Sequence, residues 1–161
     1  EFIPVVNIKG RNKYDWSIYS NKGELIADSL RYTFINTFRE GIADVYSYGK
    51  KPKWGMINSQ GELIIPCEYD KISPFLCNLA FVSKGIYCGY IDKNNHVKIP
   101  LKYKAASVFC DNLAYVSTNG WHGQFIDTEG NTVLNLKKEK NFNNILNFLD
   151  LSVHLFQLPF P

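Results

Sequence analysis

The chain is written in short apolar runs broken at regular intervals by turn residues. Around residue 54 the run "WGMI" is followed by "NSQG" and then by "ELIIP". The four residues between the runs open on Asn58 and close on Gly61. That is the chemistry of a type I turn followed by a left-handed residue, a hairpin with a G1 bulge. The same turn recurs as "SNKG" from residue 20, "DKNN" from residue 92 and "DTEG" from residue 127. Glycine enters the left-handed region without steric cost, and asparagine tolerates it. Gly23, Gly61, Asn95 and Gly130 are therefore expected at positive φ, each closing an antiparallel hairpin.

These hairpins belong to a longer period. Displaced by 34 residues, Gly55 falls on Gly89, Ile57 on Ile91, Pro66 on Pro100, Tyr69 on Tyr103, Phe75 on Phe109 and Val82 on Val116. A third copy carries Gly123 and Ile126-Asp127, with one residue inserted. A fourth lies upstream, where "WSIYSNKGELI" from Trp16 matches "WGMINSQGELI" from Trp54. The opening "IPVVNIKG" resembles the last strand of a still earlier copy. The units read as 1–13 (partial), 14–50, 51–85, 86–120 and a variant, capping 121–161 within one repeat domain.

Within a unit, Pro66 and Pro100 are expected to end the second hairpin strand, because proline donates nothing to a ladder. Tyr32 to Phe38, Tyr69 to Phe75 and Tyr103 to Phe109 share one spacing, with Ile35, Ile72 and Ala106 midway. That spacing suggests a short helical or 3₁₀ turn. A third strand follows in "GIADVYS", "NLAFVSK" and "NLAYVST". The expected fold is all-β: tandem units of about 35 residues in an open β-solenoid-like array, with a propeller-like arrangement as the alternative. Residues 135–161 leave the pattern, with "FNNILNFL" expected as a helix and "LSVHLFQL" as a strand. They are the expected cap of an open stack.

"KWGMINSQGELIIPCEYDKISPFLCNLAFV" resembles the WG-repeat family, also called KWG repeats. The pattern runs K-W-G-x-I-D-x-x-G, then I-P-x-x-Y-D, then F-x-x-G-L-A-x-V. Residues 88–116 follow it well, 16–45 more loosely, and 122–134 only in the hairpin. Trp54-Gly55 keeps the full WG. Trp16 is followed by Ser17, while Cys88 and His122 stand at the Trp site, so Trp16 and Trp54 are read as packing residues. The resemblance implies a mostly bacterial binding or scaffolding repeat without general enzymatic activity.

Composition narrows the chemistry. Apolar residues make up 45% of the chain and charged residues 20%, the balance of a globular domain. The net charge of +3 is too mild for a dedicated nucleic-acid binder. No apolar run approaches membrane-spanning length, so no membrane insertion is expected. Cys67, Cys77, Cys88 and Cys110 fit no zinc template and are expected as free thiols. No nucleophile elbow, phosphate loop or zincin helix occurs. No cofactor, metal or catalytic residue is expected, and Asp92 and Asp127 are read as turn openers. The absence of Met at position 1 suggests a segment of a longer protein, cytoplasmic or exported, with no signal peptide in it.

The links between units escape the repeat. They carry Lys9, Arg11, Lys13, Lys50, Lys51, Lys53 and Lys84 beside Tyr46, Tyr48, Tyr87 and Trp121. A basic, aromatic rim has the composition of a binding surface. Tyr46, Tyr48, Lys50, Lys51, Tyr87 and Trp121 are the candidate binding residues, and the expected partner is a protein or peptide of acidic character. The alternatives are a structural spacer in a larger surface or secreted bacterial protein and, third, an enzyme with a loop-borne site.

Overall fold

A computed structural model describes residues 1–10, 13–120 and 122–136. Trp121 and the helix and strand expected after residue 136 lie outside the described residues. The described residues form strands and turns with no helix. Sheet 1 comprises β1 (Phe2–Gly10), β2 (Lys13–Ser20) and β3 (Leu25–Leu30). Sheet 2 comprises β4 (Tyr32–Ile35), β5 (Ile42–Ser47), β6 (Trp54–Asn58) and β7 (Leu63–Tyr69). Sheet 3 comprises β8 (Lys71–Ile72), β9 (Ala80–Lys84), β10 (Tyr87–Ile91) and β11 (Val97–Tyr103). Sheet 4 comprises β12 (Ala105–Ala106), β13 (Ala114–Ser117), β14 (Gln124–Ile126) and β15 (Thr132–Asn135). Each is an antiparallel meander in chain order. Each of sheets 2 to 4 joins the second half of one sequence unit to the hairpin of the next.

The hairpin turns are alike in detail. Gly23, Gly61, Asn95 and Gly130 have φ of 81°, 81°, 62° and 85°. In each turn the opening side chain accepts two backbone N–H bonds, from the residues two and four positions on. Asn58 Oδ1 takes those of Gln60 and Glu62 at 3.0 and 2.9 Å. Asp92 Oδ1 takes those of Asn94 and His96, both at 2.9 Å. Asp127 Oδ1 takes those of Glu129 and Asn131 at 3.1 and 2.8 Å. Ser20 Oγ does the same at 3.2 Å with Lys22 and Glu24.

The segment after each hairpin is extended, in place of the helical turn expected from the Tyr–Phe spacing. Ile35 pairs with Val45, Ile72 with Val82, and Ala106 with Val116. Pro74 disfavours helical backbone at Ser73. The Ser73 hydroxyl accepts the Phe81 N–H at 2.9 Å, and Ser107 does likewise for Tyr115 at 3.0 Å. The chain then reverses through two-residue turns. Arg39 and Ile42, Leu76 and Leu79, and Cys110 and Leu113 exchange both backbone bonds. The inner pairs are left-handed: Glu40 and Gly41 at 50° and 77°, Cys77 and Asn78 at 51° and 63°, Asp111 and Asn112 at 49° and 63°. This is the type I′ geometry whose twist suits a hairpin.

Pro66 and Pro100 lie inside β7 and β11, not at their ends as the missing N–H suggested. The strand survives them because it bulges there. Trp54 faces Tyr69 and Met56 faces Ile65, so residues 66–68 all lie opposite Gly55. Cys88 faces Tyr103 and Tyr90 faces Ile99, so residues 100–102 lie opposite Gly89. The bulged backbone folds onto the glycine. A Cβ on Gly55 would sit 2.5 Å from the Ile65 carbonyl oxygen and 2.9 Å from the Cys67 nitrogen. One on Gly89 would sit 2.5 Å from the Ile99 oxygen. In sheet 1 only residues 28 and 29 lie between the matching pairs, and Ser17 fits there, donating its hydroxyl to Asp28 at 2.8 Å.

Three apolar cores alternate with the four sheets. Between sheets 1 and 2 lie Ile18, Ile35, Ala43, Val45 and Ile57. Between sheets 2 and 3 lie Met56, Ile65, Tyr69, Ala80, Val82 and Ile91. Between sheets 3 and 4 lie Tyr90, Ile99, Tyr103, Ala114, Val116 and Ile126, joined by Cys88 and Phe109. Where Cys88 replaces the tryptophan, Tyr90 replaces the smaller Ile18 or Met56. Its ring packs 4.8 Å from Phe109, and its hydroxyl donates to the Ser107 carbonyl at 2.6 Å.

Gly55→Ala and Gly89→Ala should each destabilise the chain by about 2–3 kcal/mol in urea unfolding, since the new methyl meets backbone that cannot yield. Gly23→Ala, with open space around it and φ of 81°, should cost about 1 kcal/mol. Equal losses at all three positions would contradict the bulge argument.

Candidate functional site

The links carrying the sequence's basic and aromatic residues join equivalent strands of each sheet. They connect β1 to β2, β5 to β6, β9 to β10 and β13 to β14, and so gather at the end opposite the hairpin turns. Asp70 ties two of them together. Its Oδ1 accepts a short ion-paired hydrogen bond from the Lys53 ammonium, while Oδ2 accepts the Gly85 N–H at 2.6 Å. The Lys53 bond, and then the Gly85 amide, holds the Asp70 carboxyl below the usual carboxylate range. Sequence reasoning missed this residue, although it stands at the Asp of the Y-D step in the WG pattern, where the neighbouring units carry Thr33 and Lys104. A carboxylate just beyond a strand end can reach the links of two sheets.

The clamp presents Tyr48, Lys50 and Lys51 on one link and Ile86 and Tyr87 on the next. Tyr48 is 64% exposed, Ile86 68% and Tyr87 45%, and both lysines are exposed. Tyr46 is not part of this surface: it is half-buried, with its ring 4.8 Å from that of Trp54. Trp16 donates its indole N–H to the Tyr32 carbonyl at 3.1 Å, and it too serves packing. Several of the basic residues are locally matched. Lys9 pairs with Asp15 at 2.5 Å, Lys53 with Asp70, and Lys84 with Glu68 at 3.0 Å, with the Lys84 ammonium 4.7 Å from the centre of the Tyr69 ring. The exposed cations central to the edge are therefore Lys50 and Lys51.

At the turn end, a cleft of about 140 Å³ lies between sheets 2 and 3, lined by Arg39, Glu40, Met56, Phe75 and Lys93 among others. Lys93 and Glu40 are 3.6 Å apart across it. Its size suits a single side chain. Among the described residues no group of three or more His, Cys, Asp or Glu could hold a metal ion. All four cysteines are free thiols. Burial raises the Cys67 thiol and pushes Cys88 up to about 11, the opposite of an activated nucleophile.

Comparison with known protein families matches residues 54–85 and 89–120 to the WG containing repeat. The chain carries WG repeats. No curated protein and no solved structure matches it. The two matched segments hold the bulge glycines Gly55 and Gly89 and the clamping Asp70, and the link residues Ile86 and Tyr87 lie between them. The same sheet plan extends beyond them into sheets 1 and 4.

The hairpin turns also set a pH response. The His96 amide holds Asp92 below its ordinary range, and the Asn131 side chain does so for Asp127. A carboxylate with a depressed folded pKa stabilises above its unfolded value, near 4, and that contribution is lost as pH falls through the folded value. Urea midpoints should therefore hold steady from about pH 7 to pH 5 as far as these groups are concerned, and drop below about pH 4. An Asp92→Asn, Asp127→Asn variant keeps both amide acceptors, as Asn58 does naturally, and should show a shallower acid decline. An unchanged acid slope would remove these turns as its source.

Proposed function

We propose that this WG-repeat chain is a non-enzymatic module that binds a protein or peptide along the edge formed by Tyr48, Lys50, Lys51, Ile86 and Tyr87. The observation that carries the reading is the Asp70 clamp. It holds two links side by side, so large apolar side chains are displayed on anchored backbone. Ordered aromatic anchors lose little freedom on binding, which is what a hot spot requires. Lys50 and Lys51 beside them favour an acidic partner and faster encounter at low salt. The non-enzymatic reading is supported by the employment of the acidic turn residues, which are committed to backbone amides, and by the raised thiols. We further read the sheets as an open array, on the ground that the three cores join the sheets successively in chain order.

A library of acidic, aromatic-containing peptides, screened by fluorescence anisotropy, tests the edge. Binders should weaken with added salt. A Tyr48→Ala, Tyr87→Ala double variant with unchanged circular dichroism should lose about 2 kcal/mol or more, roughly thirtyfold in Kd. Failure of every peptide to bind, or equal affinity in the variant, would refute this surface.

A further inference from the structure

The other two cores show what is missing from the cleft between sheets 2 and 3. In sheet 2 the cross-strand pair Met56–Asp44 lines that cleft, together with Phe75 of sheet 3. The corresponding pair of sheet 3 is Tyr90–Phe81. There the Tyr90 ring packs 6.3 Å from Phe81 and 4.8 Å from Phe109, which stands one repeat beyond Phe75. Between sheets 1 and 2 the equivalent Phe38 is also covered by a ring, that of Phe2 at 5.9 Å. Phe75 completes the series, yet among the described residues no aromatic ring packs on it. The Lys93 ammonium stands 6.0 Å from its ring centre.

The space left is about 140 Å³. An apolar cavity of about 150 Å³ takes up one benzene molecule. The lining is charged where the next core is apolar. Arg39 bridges to Ile42 as Leu76 bridges to Leu79, and Asp44 holds the place of Phe81. Asp44 Oδ2 accepts a hydrogen bond from the Asn36 amide at 3.1 Å, and Asn36 Oδ1 accepts the Thr37 N–H at 2.9 Å, so the carboxylate is held in position. Lys93 and Glu40 satisfy each other at 3.6 Å. Arg39 is exposed and makes no ion pair among the described residues. The cleft therefore offers a gap the size of one ring, a fixed anion and an unpaired cation.

We propose that the cleft binds a free aromatic α-amino acid, its ring on Phe75, its ammonium toward Asp44 and its carboxylate toward Arg39. The ring restores the contact that Phe2 and Tyr90 make in the neighbouring cores. The two opposite charges select a zwitterion, because a residue inside a peptide carries neither of them. The exposed Lys93–Glu40 pair yields at little cost, and the Lys93 ammonium gains a second ring face to lie against. This site lies at the end opposite the Tyr48–Tyr87 edge and does not depend on it.

L-Phenylalanine titrated into the 161-residue chain and followed by amide NMR should bind with a Kd on the order of 0.1 to 1 mM. It should shift the Arg39, Asp44 and Leu76 amides and leave that of Tyr87 in place. Phenylpropionate and phenethylamine, each lacking one charge, should bind about tenfold more weakly. Arg39→Ala should weaken phenylalanine and phenylpropionate by about tenfold and leave phenethylamine unchanged, and Asp44→Asn should do the reverse. Asp44→Phe supplies the ring from the chain itself, as Phe81 does. It should abolish binding while the melting temperature holds or rises, so that its loss of binding is not loss of fold. The proposal is overturned if these amides stay unmoved at about 20 mM phenylalanine. It is overturned equally if L-leucine binds as tightly, since the gap then selects no ring. N-acetyl-phenylalanine amide binding as tightly would also overturn it, and would mark a pocket for a side chain of a partner protein.

Discussion

A sheet that is apolar on both faces cannot be stable by itself in water, and in this chain nearly every other feature answers to that constraint. Sheets 2 and 3 bury one face against the sheet before and the other against the sheet after. Val45, Val82 and Val116 serve the backward face, while Met56 and Tyr90 serve the forward one. The repeat is therefore an arrangement for matching faces. The spacing of about 35 residues is the length of chain needed to lay down one such sheet and step to the next.

Close packing of faces requires hairpins that twist strongly, and the bulges supply the twist. The bulge explains the glycine of the WG step in a way that turn chemistry does not. Gly55 and Gly89 need no unusual φ; they need the absence of a side chain beneath a folded-over backbone. It also explains why proline sits within a strand. At Pro66 and Pro100 the ladder is already interrupted, so a missing donor costs little.

The hairpin turns were legible from four residues each, because a turn is a local structure with a local chemistry. Matching those turns at a fixed offset was enough to lay out the repeats and the order of strands. The extended segments at Ile35, Ile72 and Ala106 were not legible. A three-residue spacing of apolar positions looks helical in isolation, and only pairing with Val45, Val82 and Val116 makes it a strand. The type I′ turns were readable in principle from Glu-Gly and Asp-Asn. Cys77-Asn78 hides the same turn behind an unusual residue. At the candidate edge, composition led to Tyr48, Lys50, Lys51 and Tyr87. It could not tell Tyr46, stacked on Trp54, from its exposed neighbours, nor show that Asp70 joins the links.

Each of sheets 2 to 4 draws its first two strands from one sequence unit and its last two from the next. Backbone hydrogen bonds therefore cross every unit boundary, as between β5 and β6 or β9 and β10. Neighbouring units share a ladder as well as a core, so a unit cannot fray from the array without breaking the sheet it helps to form. Sharing a ladder raises the coupling between neighbouring units relative to their intrinsic stability. The array should melt as one cooperative block, and protection from hydrogen exchange should rise toward the middle strands β5, β6, β9 and β10 instead of stepping down unit by unit.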